Sequence, residues 1–195
     1  MGTLAVDWFT TLDGYGFGEG WPGYFGLEGP GMFDWVLEQQ ERPHTILMGA
    51  TTYVEMAKIV QGLGDDPTFE SLMATPKVVF SSHLEEPLTW RNTRLVHTGA
   101  VEYVRDLKSS PVNMRTIGSL SLSKALLTAG LVDRLRVMVF PLVLGNTGRK
   151  PVYAGLPDLQ LDLVSSRTLD GRLLLLDYTP AFVTQVPPAD GPGAA

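Results

Sequence analysis

The chain has 195 residues, no cysteine and a formal net charge of −6, so it is long enough for one domain with its own core. The missing cysteines exclude disulfides and thiolate metal sites, and an acidic balance without a basic run speaks against nucleic acid as a partner. No stretch reaches the roughly 18 apolar residues of a membrane span, and no charged-then-apolar leader opens the chain, so a cytoplasmic protein away from membranes is expected.

Leu4 to Phe9 is apolar and β-prone and reads as a first strand that breaks at Asp13-Gly14. Tyr15 to Pro30 mixes glycines and prolines with Tyr15, Phe17, Trp21, Tyr24 and Phe25. It reads as a long loop without regular structure, either a lid or a surface loop with its own hydrophobic cluster. Met32 to Gln40 has helical periodicity. Thr45 to Met48 is a second strand, followed by Gly49-Ala50-Thr51-Thr52 and a helix to about Ile59. Residues 61–76 read mostly as loop, with one helical turn around Phe69 to Met73. Lys77 to Phe80 is a third strand stopped by Ser81-Ser82, Arg94 to His97 a fourth, and Val101 to Lys108 a helix.

Met114 to Ile117 is a short fifth strand leading into Gly118-Ser119. Ser119 or Ser121 is expected to cap the helix that follows, and Gly130 to end it. Arg134 to Leu144 is a long apolar strand in which Pro141 suggests a bulge or an edge. Gly145 to Arg149 reads as loop. Asp170-Gly171, between two alternating segments, is a hairpin turn. Residues 185–195 are rich in Pro, Gly and Ala and are expected to be disordered, which leaves one domain over 1–180 and a tail over 181–195.

Alternation of strand and helix followed by a hairpin implies an α/β fold: a mainly parallel sheet covered by helices on both faces, with antiparallel edge strands. Ligands in such sheets bind at the carboxyl ends of the strands. Here those ends carry Asp13-Gly14, Gly49 to Thr52, Ser81-Ser82 and Gly118-Ser119. Small polar corners and helix N-termini suit a phosphate-bearing ligand. The histidines His44, His83 and His97 show no ligand spacing, so no metal site is expected.

The combination of TLDG, MGATTY, PKVVFSS, RTIGSLSLSKALLTAGLVDRLRVMVFPLVLG and SRTLDGRLLLLDY resembles the dihydrofolate reductase-like family over about residues 2 to 180. More narrowly, it is similar to the reductase domain of bifunctional riboflavin-biosynthesis proteins and its stand-alone relatives. The resemblance implies a three-layer sandwich with a central sheet of about eight strands. It also implies an NADPH-dependent reductase of a small heterocycle such as a pterin or an aminouracil-type pyrimidine. Carried over by position, Gly49, Ala50, Thr51, Thr52, Ser81, Ser82, Gly118, Ser119, Leu120 and Ser121 would bind the cofactor, and Gly145 and Arg149 would face the substrate.

Ala50 stands where many members have Arg, and His83 follows Ser82 where a basic residue is common, which leaves NADH open beside NADPH. The deaminase domain and its zinc ligands have no counterpart, so a stand-alone reductase is expected. Hydride transfer needs alignment and a proton source rather than a protein nucleophile. Asp13 is the first candidate for a raised-pKa acid, with Glu28 and Asp34 behind it; its alternative is an Asx-turn before Gly14. Trp21, Tyr24 and Phe25 could stack on the substrate or simply pack the loop. The long apolar strand and the hairpin are expected to pair in a homodimer. A non-catalytic binding protein and a flavin- or nucleotide-binding protein on the same scaffold remain as alternatives.

Overall fold

The computed structural model describes residues 1–63 and 67–184. Its strands are β1 (Leu4–Thr11), β2 (Tyr15–Gly18), β3 (Thr45–Gly49), β4 (Lys77–Phe80), β5 (Thr93–Val96), β6 (Met114–Thr116), β7 (Arg134–Phe140), β8 (Gly148–Pro151), β9 (Leu159–Leu169) and β10 (Leu173–Phe182). Its helices are α1 (Pro30–Gln40), α2 (Ala50–Leu63), α3 (Pro67–Ala74), α4 (Ala100–Lys108) and α5 (Leu120–Thr128).

Eight strands form one sheet in the order β5-β4-β3-β6-β1-β7-β10-β9. From β5 to β7 all neighbours run parallel, and β10 and β9 are antiparallel. Alternation along β3 shows why both faces need cover. Leu47 packs into one cluster with β1, α4 and α5, whereas Ile46 and Met48 pack into another with Tyr53 and Leu72 of α2 and α3. A third cluster seats Met32 and Trp35 of α1 on Met138 and Phe140 of β7.

The order reverses at β3. The chain leaves β3 through α2 and α3 to β4 on one side, and leaves β6, on the other side, through α5. This switch point opens a crevice at the carboxyl ends of β3 and β6.

Five expectations change. Tyr15–Gly18 is not irregular but forms β2, which pairs antiparallel with β8 in a separate ribbon; the aromatics that alternate with the glycines there supply strand side chains. Residues 148–151 are correspondingly strand rather than loop. Pro67–Ala74 is an eight-residue helix, longer than the single turn expected, because Leu72 is buried and packs into the α2–β4 cluster. In addition, β7 stops at Phe140 without a bulge, since Pro141 has no N–H for the ladder. Of the tail expected over 181–195, Ala181 and Phe182 are strand residues of β10, paired with Gln160 and Leu159, while residues 185–195 lie outside the described residues.

The hairpin turn is as expected and does more than turn. Asp170 and Gly171 both have positive φ (51° and 67°), as the central pair of a primed turn requires, with Arg172 N donating to Leu169 O and Leu169 pairing with Leu173 across the three-residue loop. The Asp170 carboxylate also accepts hydrogen bonds from Gly31 N (2.7 Å) and Met32 N (2.9 Å), capping α1 from across the sheet. At the other end of the fold, α5 closes on Gly130 (φ 65°) with Gly130 N donating to Leu127 O and Leu131 N to Leu126 O, the Schellman pattern.

Candidate functional site

The ends of β3, β4, β5 and β6 frame an open cleft of about 440 Å3. Its wall is built corner by corner: Gly49 to Thr52 after β3, Ser81 to His83 after β4, His97 to Ala100 after β5, and Ser119 with Ser121 after β6. Three helices start in this wall, α2 at Ala50, α4 at Ala100 and α5 at Leu120. A helix start leaves backbone N–H groups without intrahelical partners and carries the positive end of the dipole. Three such starts around one cleft are suited to a diphosphate.

The β3 and β6 corners are tied to each other. Ser119 Oγ accepts from Gly49 N (2.7 Å) and donates to Thr52 Oγ1 (2.8 Å), while Ser119 N donates to the same Thr52 oxygen at 3.0 Å. Ser119 adopts φ 56° to do this and makes no side-chain cap on α5, so the capping role expected for it is replaced by a cross-link. Gly118 has φ 54°, and a Cβ there would lie 2.9 Å from Thr52 Oγ1. Only glycine lets the two corners approach so closely. At the β4 corner Ser81 Oγ accepts from His83 N (3.1 Å) and Leu84 N (3.0 Å) and so shapes the turn, while Ser82 is exposed.

A second cavity of about 400 Å3 lies across Gly118 from the cleft, between α1 and α2. Its walls are apolar, with Phe9, Tyr24, Phe33, Leu37 and Met56 among them. Tyr24 stacks obliquely on Phe9 at 5.3 Å. Two charged residues, Asp7 and Arg115, line the cavity. Asp7, 4% exposed, accepts from Arg115 Nε and from Arg136 Nε (2.6 Å) and Nη2 (2.9 Å). Arg136 also donates to Gln39, and both guanidiniums lie over the Trp35 ring, at 5.6 and 5.3 Å.

Of the residues proposed from sequence, Gly49, Ala50, Thr51, Thr52, Ser81, Ser82, Ser119 and Ser121 line the cleft. Gly118 lines the apolar cavity. Leu120 lines neither and packs against the core. Asp13, Trp21, Gly145 and Arg149 also line neither cavity. Arg149 is engaged by Glu19 and by the carbonyls of Asn146 and Gly148. Phe25 is buried in the core.

Asp13 accepts from Thr11 Oγ1 (2.6 Å) and from Leu144 N and Gly145 N (3.0 Å each). The Thr11 hydroxyl first, and then the Gly145 N–H, hold its carboxyl below the usual range. That is the opposite of the raised value a proton donor needs, and Tyr15 N donates to Thr11 Oγ1 (3.0 Å) rather than to Asp13, so the carboxylate ties strand β1 to the Leu144–Gly145 loop instead of forming an Asx-turn. Sequence reasoning passed over His97 to Ala100 and the Asp7–Arg115–Arg136 network. The first carried the same strand-glycine-helix pattern as the other corners. The second was signalled by charges placed inside apolar strands, as in LAVDWF and RLRVMVF.

A family model for the RibD C-terminal domain matches residues 3–175. The chain belongs to the RibD C-terminal domain family. This family comprises the reductase domain of riboflavin biosynthesis, and its members depend in general on a pyridine nucleotide. Three solved structures share the fold. A putative riboflavin biosynthesis protein of Shewanella sp. PV-4 is 21% identical with a TM-score of 0.67, over 92% of this chain and 99% of that one. A pyrimidine reductase-like protein of Corynebacterium diphtheriae is 14% identical with a TM-score of 0.64, over 92% of each chain. The third is a diaminohydroxyphosphoribosylaminopyrimidine deaminase/5-amino-6-(5-phosphoribosylamino)uracil reductase of Thermotoga maritima. It is 16% identical with a TM-score of 0.63, and the match covers 92% of this chain but 57% of the longer bifunctional one. No curated protein matches. Among the described residues no cluster of three or more potential ligands could hold a metal, and no helix is long and apolar enough to cross a membrane.

Proposed function

We propose that the chain is a pyridine-nucleotide-dependent reductase of a small planar heterocycle, of the pterin or aminouracil class, with NADPH as the expected cofactor and NADH open beside it. The observation that carries this reading is the meeting of two cavities at one residue pair. Ser119 walls the phosphate-suited cleft and Gly118 walls the apolar cavity. A cofactor whose diphosphate rests on the starts of α2 and α5 would pass its ring over Gly118 toward a substrate held between α1 and α2. When bound, a reduced nicotinamide supplies the hydride. The chain's own residues would hold the phosphates, fix the angle of the two rings and keep water from the apolar cavity.

Ala50 offers no cation to a 2′-phosphate. The open β4 and β5 corners, with Ser82, His83 and His97 at the cleft, are where that group would find donors. Asp13 is a scaffold for the loop at Leu144 and Gly145 rather than the acid, and the proton would come from solvent at the cavity mouth. A cytoplasmic homodimer is part of the same reading.

The test is calorimetric titration of NADPH and NADH into the wild type and into Gly118→Ala. Saturable binding of at least one cofactor, weakened tenfold or more by the substitution, supports the proposal. The absence of binding of either removes it. A ligand-binding protein without turnover is favoured by one observation, the Asp13 carboxyl held below its usual range by the Thr11 hydroxyl and the Gly145 N–H. Cofactor oxidation across a panel of pterins and pyrimidines, retained in Asp13→Asn, would decide for the reductase and against both that reading and an acid role for Asp13.

A further inference from the structure

The apolar cavity has an unbalanced floor. Two guanidiniums, Arg115 and Arg136, share the single carboxylate of Asp7. Arg136 engages all three of its nitrogens, two pairs with Asp7 and one with Gln39. Arg115 engages only Nε; among the described residues its two terminal nitrogens donate to nothing, although the residue is 6% exposed and lines the cavity. In a largely enclosed, apolar cavity such donors gain more from an anionic acceptor than they would in open water.

One further polar group of the lining lacks a partner: Gln40 Oε1 is buried without a hydrogen bond. Neighbouring His44 feels the same imbalance. Its pKa is lowered first by burial, against a raising hydrogen bond to Arg42 O, and then by Arg115, whose effect exceeds the opposing one of Asp7 and is joined by Arg136. Among the described residues the cavity lining holds no Lys and no acid besides Asp7; Glu28 acts on Tyr24 at its rim.

Resting on the reading of this cavity as the substrate pocket, we propose that it selects a planar heterocycle bearing a carboxylate, seated on the free terminal nitrogens of Arg115. The ring lies against the aromatic and aliphatic walls, and the anion completes the charge that Asp7 leaves unbalanced. A guanidinium offers a carboxylate two parallel N–H groups, and its Nε–Asp7 bond fixes the plane in which they lie. A neutral ring in the same place would leave these donors unpaired, which is the condition under which polar sites discriminate strongly.

The test needs no cofactor. Pterin-6-carboxylate is compared with pterin, and orotate with uracil, by fluorescence and calorimetric titration of the full chain. The proposal expects each carboxylate to bind at least tenfold more tightly than its neutral parent. Arg115→Lys keeps a cation for Asp7 but loses the fork, and is expected to reduce that ratio to twofold or less while circular dichroism stays native. Arg115→Gln keeps a hydrogen-bond donor for Asp7 and removes the cation. It is expected to bring each carboxylate and its parent within twofold of each other in affinity. Equal affinity for carboxylates and parents, or binding of neither carboxylate at millimolar concentration, overturns the proposal, as does an unchanged ratio in folded Arg115→Lys or, should that variant not fold, in Arg115→Gln. NADPH titration reads the other cavity, so loss of cofactor binding with retained carboxylate preference would sink the reductase reading and leave this one standing.

Discussion

Gly118 decides whether two corners of the sheet can touch. An alanine there would combine a left-handed backbone with a carbon 2.9 Å from Thr52 Oγ1. Strain and displacement together should lower stability by about 1–3 kcal/mol, read as a shift in the urea midpoint, besides the loss of cofactor affinity already stated. Lys77 is the second residue whose setting predicts a measurement. It is 1% exposed, lies 4.8 Å from the centre of the Trp90 ring and donates to the carbonyls of Leu72, Met73 and Thr75 at the end of α3. Burial, with Arg91 adding to it, pushes its ammonium down to about 8. Between that pH and the usual lysine value the unfolded chain holds a proton that the folded chain has released, so stability from this position rises with pH across that window. Urea midpoints at pH 7.5 and 9.5 should therefore show an increase in the wild type that Lys77→Met lacks. At pH 7.5 the same substitution should cost roughly 1–3 kcal/mol, because three carbonyls lose their donor.

At the scale of elements, the α1 cap gives the plainest case. Asp170 sits in the β9–β10 turn, yet its carboxylate holds the first turn of α1. Asp170→Ala should lower stability by about 1–2 kcal/mol, through the lost cap and an unfavourable positive φ, while Asp170→Asn keeps the turn and loses less. Thermal melts of the two variants check the order. The turn itself was legible in sequence because Asp-Gly between alternating segments has a local cause. Its grip on α1, 139 residues away in sequence, was not. The same division runs through the molecule. Corners such as Gly49 to Thr52 and Gly118-Ser119 were readable, since small residues after a strand carry their own reason. The pairing of Tyr15–Gly18 with Gly148–Pro151 was hidden, because a ribbon of two short strands depends on a partner far along the chain. Thr11, which does most to lower the Asp13 pKa, is two residues away and was within sight of the sequence, but the Gly145 N–H that adds to it is brought near only by the fold.

The whole molecule ends in an edge that asks for a partner. β9 runs eleven residues along the border of the sheet, and Leu161, Leu163 and Val164 on it are 36%, 59% and 50% exposed. Across the hairpin, Leu174 and Phe182 are 46% exposed each. A long apolar edge of this kind is a liability in a monomer. Light scattering is expected to report a dimer, and Leu163→Lys to shift the mass toward a monomer without changing the circular dichroism spectrum. A monomeric wild type would overturn this expectation.

The triangle of Gly49, Thr52 and Ser119 has one more implication. Its hydrogen bonds are all made within the chain, so the pocket mouth is braced from inside and little reorganisation is expected when a nucleotide arrives. Variants that loosen this clasp should therefore reveal themselves mainly in how fast a captured nucleotide escapes, with its rate of arrival nearly unaltered.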